Sequence, residues 1–425
     1  MAAAIAVLVL LVSGCGDALV REGGAKNVNE NGEMQNDTRN SGAGLDSESD
    51  GKPDPETEKI IKLCQEFYEK AAEEDELDDL EVIRDIVESL GEHGYAVVDS
   101  KNQVNMTEAE QVIRFCENVE KKAESTLTVI EVTDSGGFIK FDLQTQERTV
   151  DVARAFYCLE NDTMKKMSAV EYEASEWQYT KDGYLLFSGA WFSEESYMFT
   201  MSNAKEQVAL RVLPLDDKCR ELNRNYLLPI SYERNNMFLV DWSEKDYGEL
   251  DFYDLYDALY PMVNGEPLPY EVADNLDGGT IYQIPKAEFE KVIMAYFQID
   301  SETLQSKTVY DAEIETYEYR PRGRYEAEFP EYPYSEVTAY TENEDGTVTL
   351  TVDAVFPAAG VSKVYTHEVV VRPFEGGKVQ YVSNRVIHSE EDVEKTWHTP
   401  RLTGEERQRL FSVNDNLEIS DELMY

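Results

Sequence analysis

With four histidines, five cysteines and no CxxC pair, this 425-residue chain has little to offer a metal or a disulfide framework. Basic residues are also scarce, 39 Lys and Arg against 86 Asp and Glu, leaving a formal charge of −47. Such a field repels a phosphate polymer, which excludes nucleic acid as a partner and holds the body away from an anionic lipid surface. The longest apolar run, Ala2 to Val12, is well short of the roughly 20 residues a membrane-spanning helix needs. HExxH, GxSxG, P-loop and GxGxxG are all absent, and with them the usual signatures of zinc proteases, α/β-hydrolases and nucleotide binders. Ser202 to Lys205 fits SxxK, but no KTG follows and the segment reads as an ordinary loop. His93, His367, His388 and His398 are scattered, so no metal site and no cofactor is expected; alternation puts His367 beside Tyr365 and Val369, where a hydrogen-bonded or half-exposed imidazole is the ordinary outcome.

What is present begins at the N-terminus. The apolar run is followed by Val12-Ser13-Gly14-Cys15, an apolar residue, two small residues and a cysteine. This resembles the lipobox of bacterial lipoprotein precursors, although no Lys or Arg precedes the run. The resemblance implies cleavage after residue 14 and a diacylglyceryl thioether, with acyl chains such as palmitate, on Cys15. A lipid partner held through Cys15 would anchor the chain at the outer face of the cytoplasmic membrane. An ordinary cleaved secretion signal and a buried N-terminal helix are the alternatives. Behind Cys15, residues 15–53 are rich in Gly, Asn, Ser, Asp and Glu and read as a disordered tether spanning roughly 35 Å. Taken together, the chain is similar to lipoproteins of Gram-positive gut bacteria.

From residue 54 the pattern is helices first, strands after, twice over. Asp54-Pro55 is an N-cap followed by a first-turn proline, and Ile60, Leu63, Cys64 and Phe67 follow at helical spacing. Leu77, Leu80, Ile83, Val87 and Leu90 mark a second helix with Gly91 as its stop. Thr107-x-x-Glu110 predicts a capping box opening a third. From Thr126 the period becomes two: strands at 127–132, 138–143 and 150–159 and a hairpin about Asp182-Gly183 predict a largely antiparallel sheet. Helices at 213–228, 252–260 and from Pro285, then strands at 308–319, 337–340, 347–356, 363–372 and 379–387, repeat that order. Either the halves are duplicated or both contain Asp-Gly hairpins by chance. The expected class is α+β, with helix-plus-curved-sheet units at 54–212 and 213–388 and an acidic tail at 389–425. By element order these units resemble cystatin-like or nuclear-transport-factor-like cones.

Chemistry-bearing patterns are few. Tyr319, Arg320, Arg322, Arg324 and Tyr325 interleave arginine with aromatics in an acidic chain, a composition suited to a ligand rim that grips carboxylates or stacks on sugars. The competing reading pairs those arginines with the chain's own acid. The acidic turns at 274–278 and 342–346 lack the full calcium-loop ligand series and read as plain turns. Cys64 and Cys116 sit on apolar helix stripes and Cys158 ends the apolar Ala155-Phe156-Tyr157, where a thiol behaves as a small hydrophobe; Cys219 makes the number even, which permits disulfides. The expectation is a lipid-anchored extracytoplasmic protein with a non-catalytic binding role toward an envelope glycan or protein. A cell-envelope hydrolase using unassigned carboxylates is the alternative.

Overall fold

The computed structural model describes residues 53–161, 163–191, 205–270, 280–322, 326, 332–406 and 409. Cys15, the 16–52 part of the tether, Ser202, the 274–278 turn, Arg324 and Tyr325 lie outside the described residues. The chain is α+β and divides into two compact units. The first takes the described residues up to 179 with those of 187–206 and 210–212; the second takes 180–186, 207–209 and those from 213 on. The expected boundary after 212 is therefore crossed twice, and residues 389–406 belong to the second unit.

In the first unit, α1 (Pro55–Glu74) is opened by Asp54, whose carboxylate accepts from the Glu56 and Thr57 N–H groups. Its stripe of Ile60, Cys64, Tyr68 and Ala71 is buried with Ile83, Ile86, Val87 and Leu90 of α2 (Leu80–Glu92). Gly91 does not stop α2, which runs on to Glu92. A Cβ at Gly91 would lie 2.5 Å from the Thr107 side chain, so this glycine permits a close approach, and the chain turns instead at Gly94, φ +87°. The expected capping box at Thr107 does not form: its hydroxyl donates to the Tyr95 carbonyl and accepts from the Val97 N–H. Thr107 thereby fastens the start of α3 (Ala109–Lys121) to β1 (Ala96–Asp99), a fully buried four-residue strand that shows no alternation in the sequence.

Through α3, β1 crosses over to pair parallel with β2 (Ser125–Thr133). Then β3 (Gly137–Gln146), β4 (Thr149–Glu160) and β5 (Thr163–Glu173) continue an antiparallel meander, sheet order β1-β2-β3-β4-β5. Strand β6 (Glu176–Tyr179), β7 (Tyr184–Trp191) and β8 (Lys205–Arg211) form a three-stranded sheet.

The second unit packs α4 (Asp217–Tyr226), α5 (Phe252–Asn264) and α6 (Lys286–Tyr296) with a second meander. That meander is β13 (Tyr334–Glu342), β14 (Val348–Val355), β15 (Tyr365–Pro373) and β16 (Val379–Ile387), with the two-residue β9 (Trp242–Ser243) on its far edge. Both units thus set helices on a four-stranded meander, but the fifth strand joins the first strand in one and the last in the other. The strand expected at 308–319 is a short hairpin, β11 (Tyr310–Asp311) and β12 (Thr316–Tyr319), broken by the left-handed Glu315 and flanked by β10 (Tyr282–Pro285) and α7 (Ser301–Ser306). Aromatics dominate this core, with Phe289 stacked between Tyr256 and Tyr317 at centroid distances of 4.7 and 4.5 Å. The segment after β16 is a strap. Trp397 is buried parallel to Tyr365, and Lys395 lies 4.5 Å over the Tyr365 ring. A Thr403–Glu406 capping box closes reciprocally beyond it.

Candidate functional site

A concavity with a volume of about 960 Å³ lies on the first unit's meander. Its geometry follows from register. Side chains alternate between the two faces of a strand, so residues paired across strands share a face. One row on the open face is Thr126, Gln144, Asp151 and Glu173; the next is Thr128, Asp142, Ala153 and Glu171. In the row beyond, Lys140 lies beneath the N-terminus of α1, where the helical cover begins. Polar residues therefore begin where the helices stop. Ala153 is the short residue in the middle, and Asp142, Asp151, Glu171 and Glu173 stand around it. Glu56 of α1, Tyr95 and Gln111 complete the rim.

The cleft is acidic by construction. None of its described lining residues is Lys or Arg. Asp142 accepts from the Thr128 hydroxyl at 2.7 Å and from Lys140 Nζ at 2.8 Å. The Lys140 ammonium is buried, which pulls its pKa down, but the hydrogen bond and charge of Asp142, then Asp54 and Glu56, outweigh this and hold it above its ordinary value. For Asp54, burial pulls the carboxyl up, and hydrogen bonds from Thr57 together with Lys140 bring it below the usual range. Asp151 and Glu173 are directly paired across β4 and β5, and among the described residues neither carboxylate has a hydrogen-bond or ion-pair partner. Like charges in that relation destabilise a sheet.

The arginines expected to rim a ligand lie in the second unit. Arg322 and Tyr319 are not available to one. Arg322 is 8 % exposed and forks onto Asp254 at 2.6 and 2.9 Å, with its third nitrogen on the Thr399 and Glu326 carbonyls. Tyr319 is buried and donates to Asp257 at 2.6 Å. The strap contributes Arg401, which bridges Asp254 and Asp257 at 2.6 Å each and donates to the Arg320 carbonyl. Burial pushes the Asp257 carboxyl up to about 6 against the pull of Arg401 and Tyr319. Arg320 keeps a partly exposed side chain 3.8 Å from Glu318. At Arg322 the chain's own acid takes the arginine: Asp254 grips it, and Asp254 with Asp257 and the α5 N-cap Asp251 also faces Arg401.

A family model of unknown function matches residues 51–401, both units and the strap through Arg401. The chain belongs to DUF6070. No curated protein and no solved structure matches it.

Other residues singled out in the sequence are occupied structurally. His367 is fully buried; Asn384, held by its Nδ2 donation to the Val240 carbonyl, accepts from Nδ1, which leaves Nε2 to accept from the Tyr232 hydroxyl at 2.7 Å. Burial lowers its pKa to about 3. His388 is exposed, with Asp392 at 3.9 Å, and His93 contacts the Ser89 carbonyl. Among the described residues no group of His, Cys, Asp and Glu is placed to hold a metal, and Cys64, Cys116, Cys158 and Cys219 are free thiols. Burial pushes Cys64 and Cys116 up to about 12, which removes them from thiolate chemistry. At 342–346 the Asp345 carboxylate is spent on the Thr347 N–H and hydroxyl, a plain turn. Sequence reasoning missed the cleft. Its polar positions were legible as the outward half of four alternating strands, but only the pairing register sets them side by side.

Proposed function

We propose that this is a lipid-anchored extracytoplasmic protein, held at the outer face of the cytoplasmic membrane through Cys15, whose first unit binds a ligand at the cell envelope without chemical turnover. The observation that carries the binding role is the cleft of about 960 Å³ with its two polar rows, a volume suited to a small molecule or a short glycan. The lipobox and the tether composition support the location. A hydrolase acting through the same carboxylates is the competing reading, and it predicts turnover where a binder predicts none.

The test is a thermal-shift screen of the full chain against envelope glycans, peptidoglycan fragments and soluble amines, repeated on an Asp151→Asn/Glu173→Gln variant. A ligand at about 100 times its Kd stabilises the folded protein by about 2.7 kcal/mol. The expected result is a shift with one probe class that the variant loses. A shift that survives in the variant places binding elsewhere, and release of product from a glycan favours the hydrolase. Acyl labelling that persists in Cys15→Ala would refute the anchor.

A further inference from the structure

We propose that a second copy of this chain docks on the open edge of β5, giving a two-fold dimer in which the two first-unit meanders join into one sheet. β5 is the outer strand of its sheet, 11 residues long, with Lys165, Lys166, Ser168, Ala169, Glu171 and Glu173 exposed along it. The Ala174 N–H donates to the Val150 carbonyl. Counting back by two, Tyr172, Val170 and Ser168 turn their backbone groups toward β4, while Glu173, Glu171 and Ala169 turn theirs outward. Among the described residues no strand pairs with that outer side. The outer edge of the second meander is treated differently, since Asn223 of α4 lies over β13 and donates to the Ser335 carbonyl. An uncovered row of backbone donors and acceptors is a template for another strand.

Side-chain charge selects the occupant. One half of β5 carries Lys165 and Lys166 in a chain with 39 basic residues against 86 acidic ones, and the other half carries Glu171 and Glu173. Lysine commonly guards a sheet edge against pairing, but here it guards one half only. In an antiparallel pair of identical strands about a two-fold at Ala169, the lysine half of each copy meets the glutamate half of the other, and the attraction occurs twice. A parallel copy would set lysine on lysine and glutamate on glutamate. Within one chain Glu173 faces Asp151, a local rule broken where a second copy brings cations to that row. Lys165 also holds Glu160 of its own chain, an exposed pair of small worth that little opposes sharing. Ser168 and Ala169 at the axis are small, so two backbones can approach to the ~4.8 Å of a ladder. A single strand pair is a small interface, which makes the dimer weak and reversible.

The test is sedimentation velocity of the full chain over a micromolar concentration series at physiological salt. A concentration-dependent monomer–dimer equilibrium is expected. Three variants, each checked for the parent's far-UV circular dichroism, should raise the dimer dissociation constant at least ~tenfold. Ala169→Pro removes an outward N–H and leaves the β4 ladder intact, while Lys165→Glu/Lys166→Glu and Glu171→Lys/Glu173→Lys each make the edge single-signed. Mixing the two charge-reversed chains in equal amounts should restore association, because an all-acidic edge then meets an all-basic one. A parent that stays monomeric throughout overturns the proposal. So does a dimer that survives Ala169→Pro, which would place the contact elsewhere, and so does a folded pair of charge-reversed chains that fails to associate on mixing.

Discussion

His367 makes the second unit sensitive to acid, and the structure sets the direction and size of the effect. The imidazole is fully buried between Tyr232 and Asn384, both nitrogens satisfied in the neutral form. Its folded pKa is about 3 against 6.5 for a free histidine, chiefly because burial disfavours the cation. The unfolded chain therefore binds a proton that the folded chain refuses at every pH between those values. Stability from this group is complete above 6.5 and is lost as pH falls toward 3. At about 1.4 kcal/mol per pH unit, the whole window is worth about 5 kcal/mol, of which about 3 is gone by pH 4.5. Asp257, whose folded pKa is raised to about 6, works in the opposite sense: it favours the folded state below about 4 and gives that up as pH rises through 6. Raw acid denaturation sums both. Urea unfolding of the parent and of His367→Gln at about pH 7 and pH 4.5 isolates the histidine, because only the parent should lose the additional ~3 kcal/mol on acidification. Equal acid slopes for the two proteins would refute the buried neutral imidazole.

Arg401→Met strips the cation shared by Asp254 and Asp257 and should destabilise the second unit by about 3–5 kcal/mol, read by urea unfolding followed at an aromatic signal. Trp397→Ala empties the strap's plug against Tyr365 and Phe356 and should cost about 3–5 kcal/mol in the same assay. Asp151→Asn relieves the like-charge pair with Glu173 and should stabilise the unliganded protein by about 0.2–1 kcal/mol, an effect that added salt shrinks.

The fold class and most elements were legible because their periods are strong. Asp54-Pro55 opens α1, and the strand expected at 347–356 forms as β14. Elements whose formation depends on distant partners were not legible. The wholly buried β1 has no alternation, and β9 is two residues long and exists only as an edge to β16. Thr107 carried a correct capping signature and lost it to β1, where its hydroxyl meets two backbone groups. Gly91 carries the sequence signal of a helix stop, whereas the structure uses its missing Cβ for packing.

The functional residues divide along the same line. The arginine-aromatic run drew attention because its composition is unusual for this chain, yet Arg322 and Tyr319 serve a buried ionic network that depends on Arg401, some eighty positions away in sequence. The cleft drew none, since Asp142, Asp151, Glu171 and Glu173 are four of 86 acidic residues until the register of β3, β4 and β5 brings them together.

Hydrogen exchange of the full chain, with and without whichever probe gives the largest melting shift, tests the binding role of the cleft most directly. The account predicts added protection at 126–128, 142–144, 151–153 and 171–173, the strand segments that line the cleft. Protection confined to the second unit, with those four segments unchanged, would contradict it.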